Sequence, residues 1–105
     1  MNDKVLSMLG LSRRAGAIII GTDLVTKSLP SGKVKLVIYA SDASANTEKK
    51  ITDKCKFYNT KCIKSAYDGS QIAHAIGKQS LVSVVGLTDE NFSRELIRRI
   101  TNETR

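Results

Sequence analysis

The sequence predicts an α/β chain folded as a three-layer α/β/α sandwich, a parallel or mixed sheet with helices on both faces. Three observations carry this. Helix-period and strand-type segments alternate from end to end. The connections are short, with no linker, repeat or low-complexity stretch. Leu36-Val37-Ile38-Tyr39-Ala40 is a near-continuous apolar run, a pattern that belongs to strands covered on both faces.

Between Asp3 and Arg14, the apolar residues Val5, Leu6, Met8 and Leu9 cluster at helical spacing. Arg13 and Arg14 end that helix, where cations suit the dipole, and Gly16 stops it. Residues 17–20 read as a short buried strand, rich in β-branched side chains and broken off by Gly21. A helix over residues 22–29 follows, with Thr22 as its expected N-cap and Asp23 in its first turn. Leu24, Val25 and Leu29 form its apolar side, while Thr22, Asp23, Thr26 and Lys27 share the other face. Pro30, Ser31 and Gly32 turn the chain, and Lys33-Val34-Lys35 leads into the strand 36–40.

Small polar residues at 41–47 prepare a third helix that reaches Tyr58. Ile51, Cys55 and Tyr58 line one side of it, and Lys49, Lys50, Lys54 and Lys56 cover the rest. Asn59 and Thr60 turn into a third strand over residues 61–64. Asp68 or Ser70 caps a fourth helix carrying Ile72, Ala75 and Ile76 and ended by Gly77. A fourth strand is expected over residues 81–87. Asp89 or Asn91 then starts a last helix whose Phe92, Leu96, Ile97 and Ile100 face inward.

A chain of 105 residues is expected to form one domain, residues 1–105, with a single modest core. Hydrophobic residues at 41% exclude a disordered chain. The longest apolar runs are strand-sized, so no membrane helix is expected, and the early Asp3 with no long apolar stretch argues against a signal peptide. A soluble, cytoplasmic protein is the expectation. Lys and Arg number 17 against 10 acids, a net +7. That balance favours a polyanionic partner, most often nucleic acid, although solubility by itself accounts for moderate charge.

Enzyme readings fail in turn. A Walker-type phosphate loop needs a Gly-Lys-Ser/Thr ending, which neither Gly77-Lys78-Gln79-Ser80 nor Gly32-Lys33-Val34 supplies. A dinucleotide site wants repeated glycines after the first strand, and only Gly21 stands there. Cys55, Cys62 and the single His74 lack metal-ligand spacing, so no metal or other cofactor is expected. Cys55 or Cys62 with His74 makes a nucleophile and base only if the thiols are exposed, and both fall on apolar faces or strands. Two reduced, mostly buried thiols are the expectation.

In α/β sheets, ligands gather at loops beyond the strand ends, and residues 21–27, 41–46 and 77–80 qualify. RNA binding needs backbone amides and lysines for phosphate, with side chains for exposed base edges. Gly21 and Thr22 open a helix whose first amides lack helical partners, with Lys27 one turn on. The plainer alternatives are a surface Lys27 paired with Asp23 at i, i+4, and an Asp23 that only stabilises the first turn. Tyr39, Tyr58, Tyr67, Phe57 and Phe92 are too few for a stacking platform, which favours recognition of folded RNA shape.

Three ordered stretches carry a resemblance: Gly21-Thr22-Asp23-Leu24-Val25-Thr26-Lys27, Lys35-Leu36-Val37-Ile38-Tyr39-Ala40-Ser41-Asp42-Ala43, and Ala75-Ile76-Gly77-Lys78. They resemble landmarks of the L-seven-Ae / L-thirty-e / Gadd-forty-five superfamily of ribosomal-type RNA-binding proteins. Asp42-Ala43-Ser44-Ala45-Asn46-Thr47 and Asp53-Lys54-Cys55 are similar to its bacterial YlxQ-type branch. The resemblance implies a four-stranded mixed sheet inside the three-layer sandwich, no catalysis and no cofactor. It implies a kink-turn RNA as partner, held through Gly21, Thr22, Asp23, Leu24 and Lys27 at its sheared G·A pairs and phosphates. It further implies that Ser44 lies beside the RNA and that Gly77, Lys78, Gln79 and Ser80 cover a flipped-out base.

Strong kink-turn binders of the family carry Asn-Glu where this chain has Asp23-Leu24. An amide donates and accepts, whereas Asp23 only accepts and Leu24 does neither. Ser44 also replaces a common acid, and Ala73 a frequent glycine. Weaker or differently selective kink-turn binding is therefore expected, by a monomer, to ribosomal RNA or a messenger element. The alternative is a ribosome-associated or regulatory protein-interaction module with weak RNA binding, which Leu24 favours.

Overall fold

The computed structural model describes residues 3–103 and has five α-helices packed on a four-stranded mixed sheet. The helices are α1 (Lys4–Arg14), α2 (Thr22–Ser28), α3 (Ala45–Phe57), α4 (Gly69–Ile76) and α5 (Glu90–Glu103). The strands are β1 (Ile18–Ile20), β2 (Leu36–Tyr39), β3 (Lys61–Lys64) and β4 (Val84–Leu87), in the spatial order β1-β4-β2-β3. β4 runs antiparallel to both its neighbours, while β2 and β3 are parallel. Among the described residues no helix is long and apolar enough to cross a membrane.

Alternation along the central strands sorts the helices into two layers. Leu36, Ile38, Val85 and Leu87 meet Val5 and Leu9 of α1, Ile72 and Ile76 of α4, and Leu96 and Ile100 of α5. Val37, Tyr39 and Val84 face the other way, against Val25 of α2 and Ile51 and Cys55 of α3. Each buried Leu or Ile contributes about 2–3 kcal/mol of burial free energy. The two cores together therefore fix both layers.

Side chains set the helix starts much as their sequence suggests. The Asp3 carboxylate accepts from the Leu6 N–H at 3.0 Å, and Ser44 Oγ accepts from Thr47 N–H at 3.1 Å. Asp68, rather than Ser70, caps α4 in a reciprocal box with Gln71. Asp89, rather than Asn91, holds the start of α5 through the Phe92 N–H.

Three expectations need correction. Thr22 is not the N-cap of α2: Gly21 is, with no side-chain bond. The Gly21 N–H donates to the Val84 carbonyl (2.9 Å) while its own carbonyl accepts from Val25 N–H (3.0 Å), so the sheet and the helix divide Gly21 between them and Thr22 is already helical. β4 begins at Val84, not at residue 81. The Val82 N–H is drawn to the Gly69 carbonyl at 3.2 Å, which takes residues 81 and 82 away from the neighbouring strand and leaves Leu81 71% exposed, while the Ser83 carbonyl still accepts the Ala40 N–H at 2.8 Å. β1 is only half-buried, because it is an edge strand with one neighbour. A further small shift comes at the end of α2, where a 3-10 turn, Leu29–Ser31, takes over from Leu29.

Candidate functional site

The register sets where the loops gather. Ile20 and Ile38 flank Val85, and Tyr39 lies opposite Val84, so β1, β2 and β3 all end where β4 begins. Residues 21–27, 41–46 and the segment before β4 therefore share one end of the sheet. The starts of α2 and α3 lie at that end as well.

Gly21 turns the chain there with φ 105° and ψ 146°, a backbone that a β-branched side chain strains to adopt. Gly77, left-handed at φ 76°, turns the chain out of α4. Arg13 of α1 steadies that exit by donating to the Ile76 carbonyl at 3.0 Å, and the Lys78 N–H closes on the Ala73 carbonyl at 2.8 Å. The Asp42 carboxylate ties the loop after β2 to the start of α4, accepting the Gly69 N–H at 2.9 Å.

Between the β1–α2 junction and the loop after α4 lies an open groove of about 490 Å³. Gly21, Thr22, Lys78, Gln79 and Ser80 line it together, although more than fifty residues of sequence part the two stretches. The other candidates fall outside its lining. Gly77 opens the loop, and Leu24 (58% exposed) and the exposed Lys27 lie along α2. Ser44 caps α3 at the same end of the sheet, its hydroxyl occupied with Thr47. Asp23 does not pair with Lys27. Its carboxylate lies 3.5 Å from Lys50 Nζ of α3, an exposed pair worth little to stability. Sequence reasoning missed Leu81 and Ser83, which also line the groove. The serines bracketing Leu81-Val82 were the available signal.

Behind the groove, the Tyr39 hydroxyl donates to Glu48 at 2.9 Å, and Glu48 lies 4.0 Å from Lys64. Burial first, then the hydrogen bond to the Glu48 carboxylate, pushes the Tyr39 phenol up to about 12. The two cysteines are free thiols, Cys55 buried and Cys62 half-buried. A hydrogen bond to Cys55, followed by burial, holds the Cys62 thiol well above the ordinary range, and Cys55 itself is 1% exposed. Both belong to the α2–α3 side of the sheet, whereas α4, which carries the exposed His74, packs on the other. The sheet therefore separates the thiols from that imidazole. Among the described residues no cluster of His, Cys, Asp or Glu can hold a metal ion.

Comparison with known proteins agrees with this architecture. The chain is 41% identical over 90 residues to the RNA-binding protein YlxQ of Bacillus subtilis, covering 86% of this chain and 88% of the relative. It is 32% identical to the large ribosomal subunit protein eL30 of Sulfolobus acidocaldarius, over 79% of this chain and 80% of that one. A solved structure of a Bacillus halodurans protein of unknown function superposes with a TM-score of 0.88 at 39% identity, over 95% of this chain and 99% of the other. The family model for the ribosomal protein L7Ae/L30e/S12e/Gadd45 family matches residues 3–97, and the chain belongs to that family.

Proposed function

We propose that residues 1–105 form one cytoplasmic, non-catalytic RNA-binding domain that recognises a kink-turn-like RNA through the β1–α2 junction and the loop after α4. The observation that carries this is the shared groove: Gly21 and Thr22 on one side, Lys78, Gln79 and Ser80 on the other. Family membership and 41% identity to a protein named as RNA-binding support RNA as the ligand. In this reading, backbone amides at the start of α2, with Lys27 and Lys78, take phosphates. Asp23 and Leu24 face the G·A pairs, and Ser44 lies at the margin. The loop 77–80 covers an unstacked base. The target is a structured RNA, ribosomal or a messenger element, bound by a monomer without cofactor. Separation of the thiols from His74 by the sheet supports the absence of catalysis.

The test is a titration against a short kink-turn RNA beside the same RNA with its sheared G·A pairs replaced by Watson–Crick pairs, each at two salt concentrations. Binding that collapses with the replacement is expected. Equal, salt-sensitive binding to both RNAs removes shape recognition. It then favours the second reading, a protein-interaction module on the ribosome or in regulation, for which the 58% and 71% exposed Leu24 and Leu81 are the supporting observation.

A further inference from the structure

Five exposed lysines of this chain gather toward the other end of the sheet, where β2 and β3 begin. Leu36 and Lys61 are register partners there, so Lys33, Lys35 and Lys61 are brought close. Lys54 and Lys56 lie in the last turn of α3, which the chain leaves through Asn59, left-handed at φ 56°. The Asn59 N–H donates to Lys56 O at 3.2 Å and the Thr60 N–H to Cys55 O at 2.8 Å, a tight return that keeps Lys56 beside Lys61. All five lysines are exposed, and among the described residues none of them forms an ion pair. Lys35 and Lys61 also line a groove of about 300 Å³ with Tyr58 and Thr60. Next to Tyr58 in the chain, Phe57 stands 78% exposed, its ring set edge-on to the Tyr58 ring at 4.8 Å.

The ordinary reasons for surface lysines do not account for this group. A helix C-terminus carries about half a negative charge, so the end of α3 offsets only about half of one charge among the five. Protection of the edge strand β3 explains Lys61 but neither Lys33 nor Lys35. Neither reason explains a large aromatic ring in water. Lysines are point charges without the planar fork that selects carboxylates, and they suit a phosphate backbone tracked without fixed geometry. One exposed ring offers stacking to one base.

We propose that this pole is a second RNA-contact surface, for a single-stranded segment held by its phosphates on Lys33, Lys35, Lys54, Lys56 and Lys61, with one base on Phe57. It is separate from the groove at Gly21 and does not depend on kink-turn recognition. Together the two poles let one protein hold a folded RNA element and an unpaired strand.

The experiment is fluorescence anisotropy of the full chain with a labelled uridine homopolymer of about 12 nucleotides, at several salt concentrations. Comparison is with K33E/K35E/K61E, with Phe57→Ala, and with Lys27→Ala/Lys78→Ala, two lysines outside this group. Far-UV circular dichroism confirms that each variant is folded. The triple variant is expected to weaken binding more than tenfold and to lower the salt slope by about two, since each single-strand phosphate contact contributes about 0.7. Phe57→Ala is expected to weaken it about tenfold with an unchanged slope. Lys27→Ala/Lys78→Ala is expected to leave it unchanged. Wild-type affinity in the triple variant overturns the proposal, as does a loss confined to Lys27→Ala/Lys78→Ala, or no binding by the wild-type chain. Kink-turn titration of the same triple variant keeps the two readings apart, because its G·A selectivity should survive even where homopolymer binding does not.

Discussion

At the end of the sheet where β4 begins, the starts of α2 and α3 meet two loops, and two acids there already have lysine partners. Asp23 pairs with Lys50, and Glu48 approaches Lys64. At the opposite end are five exposed lysines that form no ion pair among the described residues, a groove lined by two of them, Lys35 and Lys61, and an exposed Phe57. The first end is therefore built for position: fixed backbone amides, a glycine in a backbone conformation that side chains resist, and a cross-braced loop. The second is built for charge. A net of +7 says nothing about which residues read a ligand, because the ligand-facing geometry and a group of five exposed lysines lie at different poles. Backbone geometry at the first pole should be fragile to substitution, with a salt dependence limited to the phosphate contacts of Lys27 and Lys78, whereas the lysine pole should tolerate substitution and respond strongly to salt.

The largest expected effect breaks the first pole alone. Gly21→Val forces a β-branched residue into φ 105°, and strain of this kind costs up to about 3 kcal/mol. Urea unfolding should register that loss, with kink-turn affinity falling and homopolymer binding kept by whatever fraction stays folded. Stability within about 0.5 kcal/mol of wild type, the ordinary range for surface changes, would show that Gly21 is not held as described.

Next in size is a pH effect at the same pole. The Tyr39 phenol, pushed up to about 12, ionises less readily in the folded chain than near 10 in the unfolded one. Its contribution is thus complete below pH 10 and is lost as pH rises through 12, by about 2 kcal/mol. Tyr39→Phe should flatten the unfolding curve within that window. An identical alkaline decline in Tyr39→Phe would assign the loss to other groups.

What the sequence revealed, and what it hid, follows the same division. Element type was legible because the central strands alternate between two buried faces, and because Asp3, Ser44, Asp68 and Asp89 mark helix starts by local chemistry. The end of β4 was legible, but its start at Val84 was not. That start depends on the Val82 N–H reaching Gly69, a contact between distant parts of the chain. Thr22 suggested a cap by residue type, yet the sheet's hold on Gly21 decided the matter. Likewise Asp23 and Lys27 have the spacing of a helical pair, while α3 brings Lys50 to Asp23 instead. The groove joins stretches whose adjacency only topology creates. The lysine pole was invisible for the same reason, its members being scattered from Lys33 to Lys61.

A smaller effect sharpens what the first pole reads. Asp23→Asn with Leu24→Glu removes the pair with Lys50, restores an amide that both donates and accepts, and adds an acceptor for guanine N–H groups. About a tenfold gain on a kink-turn with sheared G·A pairs is expected, near 1.4 kcal/mol, and little on the Watson–Crick control. No gain on the guanine-containing kink-turn would count against Asp23 and Leu24 as the residues facing the G·A pairs.

The smallest effect separates the poles most cleanly. Lys27 is exposed on α2 and forms no ion pair among the described residues, so Lys27→Ala should leave stability unchanged. If it holds one phosphate, kink-turn affinity falls a few-fold for every sequence and the salt slope drops by about one. Homopolymer binding should not move at all, since the lysines proposed for it lie at the other end of the sheet. A kink-turn slope that ignores Lys27→Ala but responds to K33E/K35E/K61E would mean that folded RNA also reaches the lysine pole. Counterion release would then come from that pole, and the groove at Gly21 would act by shape with almost no charge of its own.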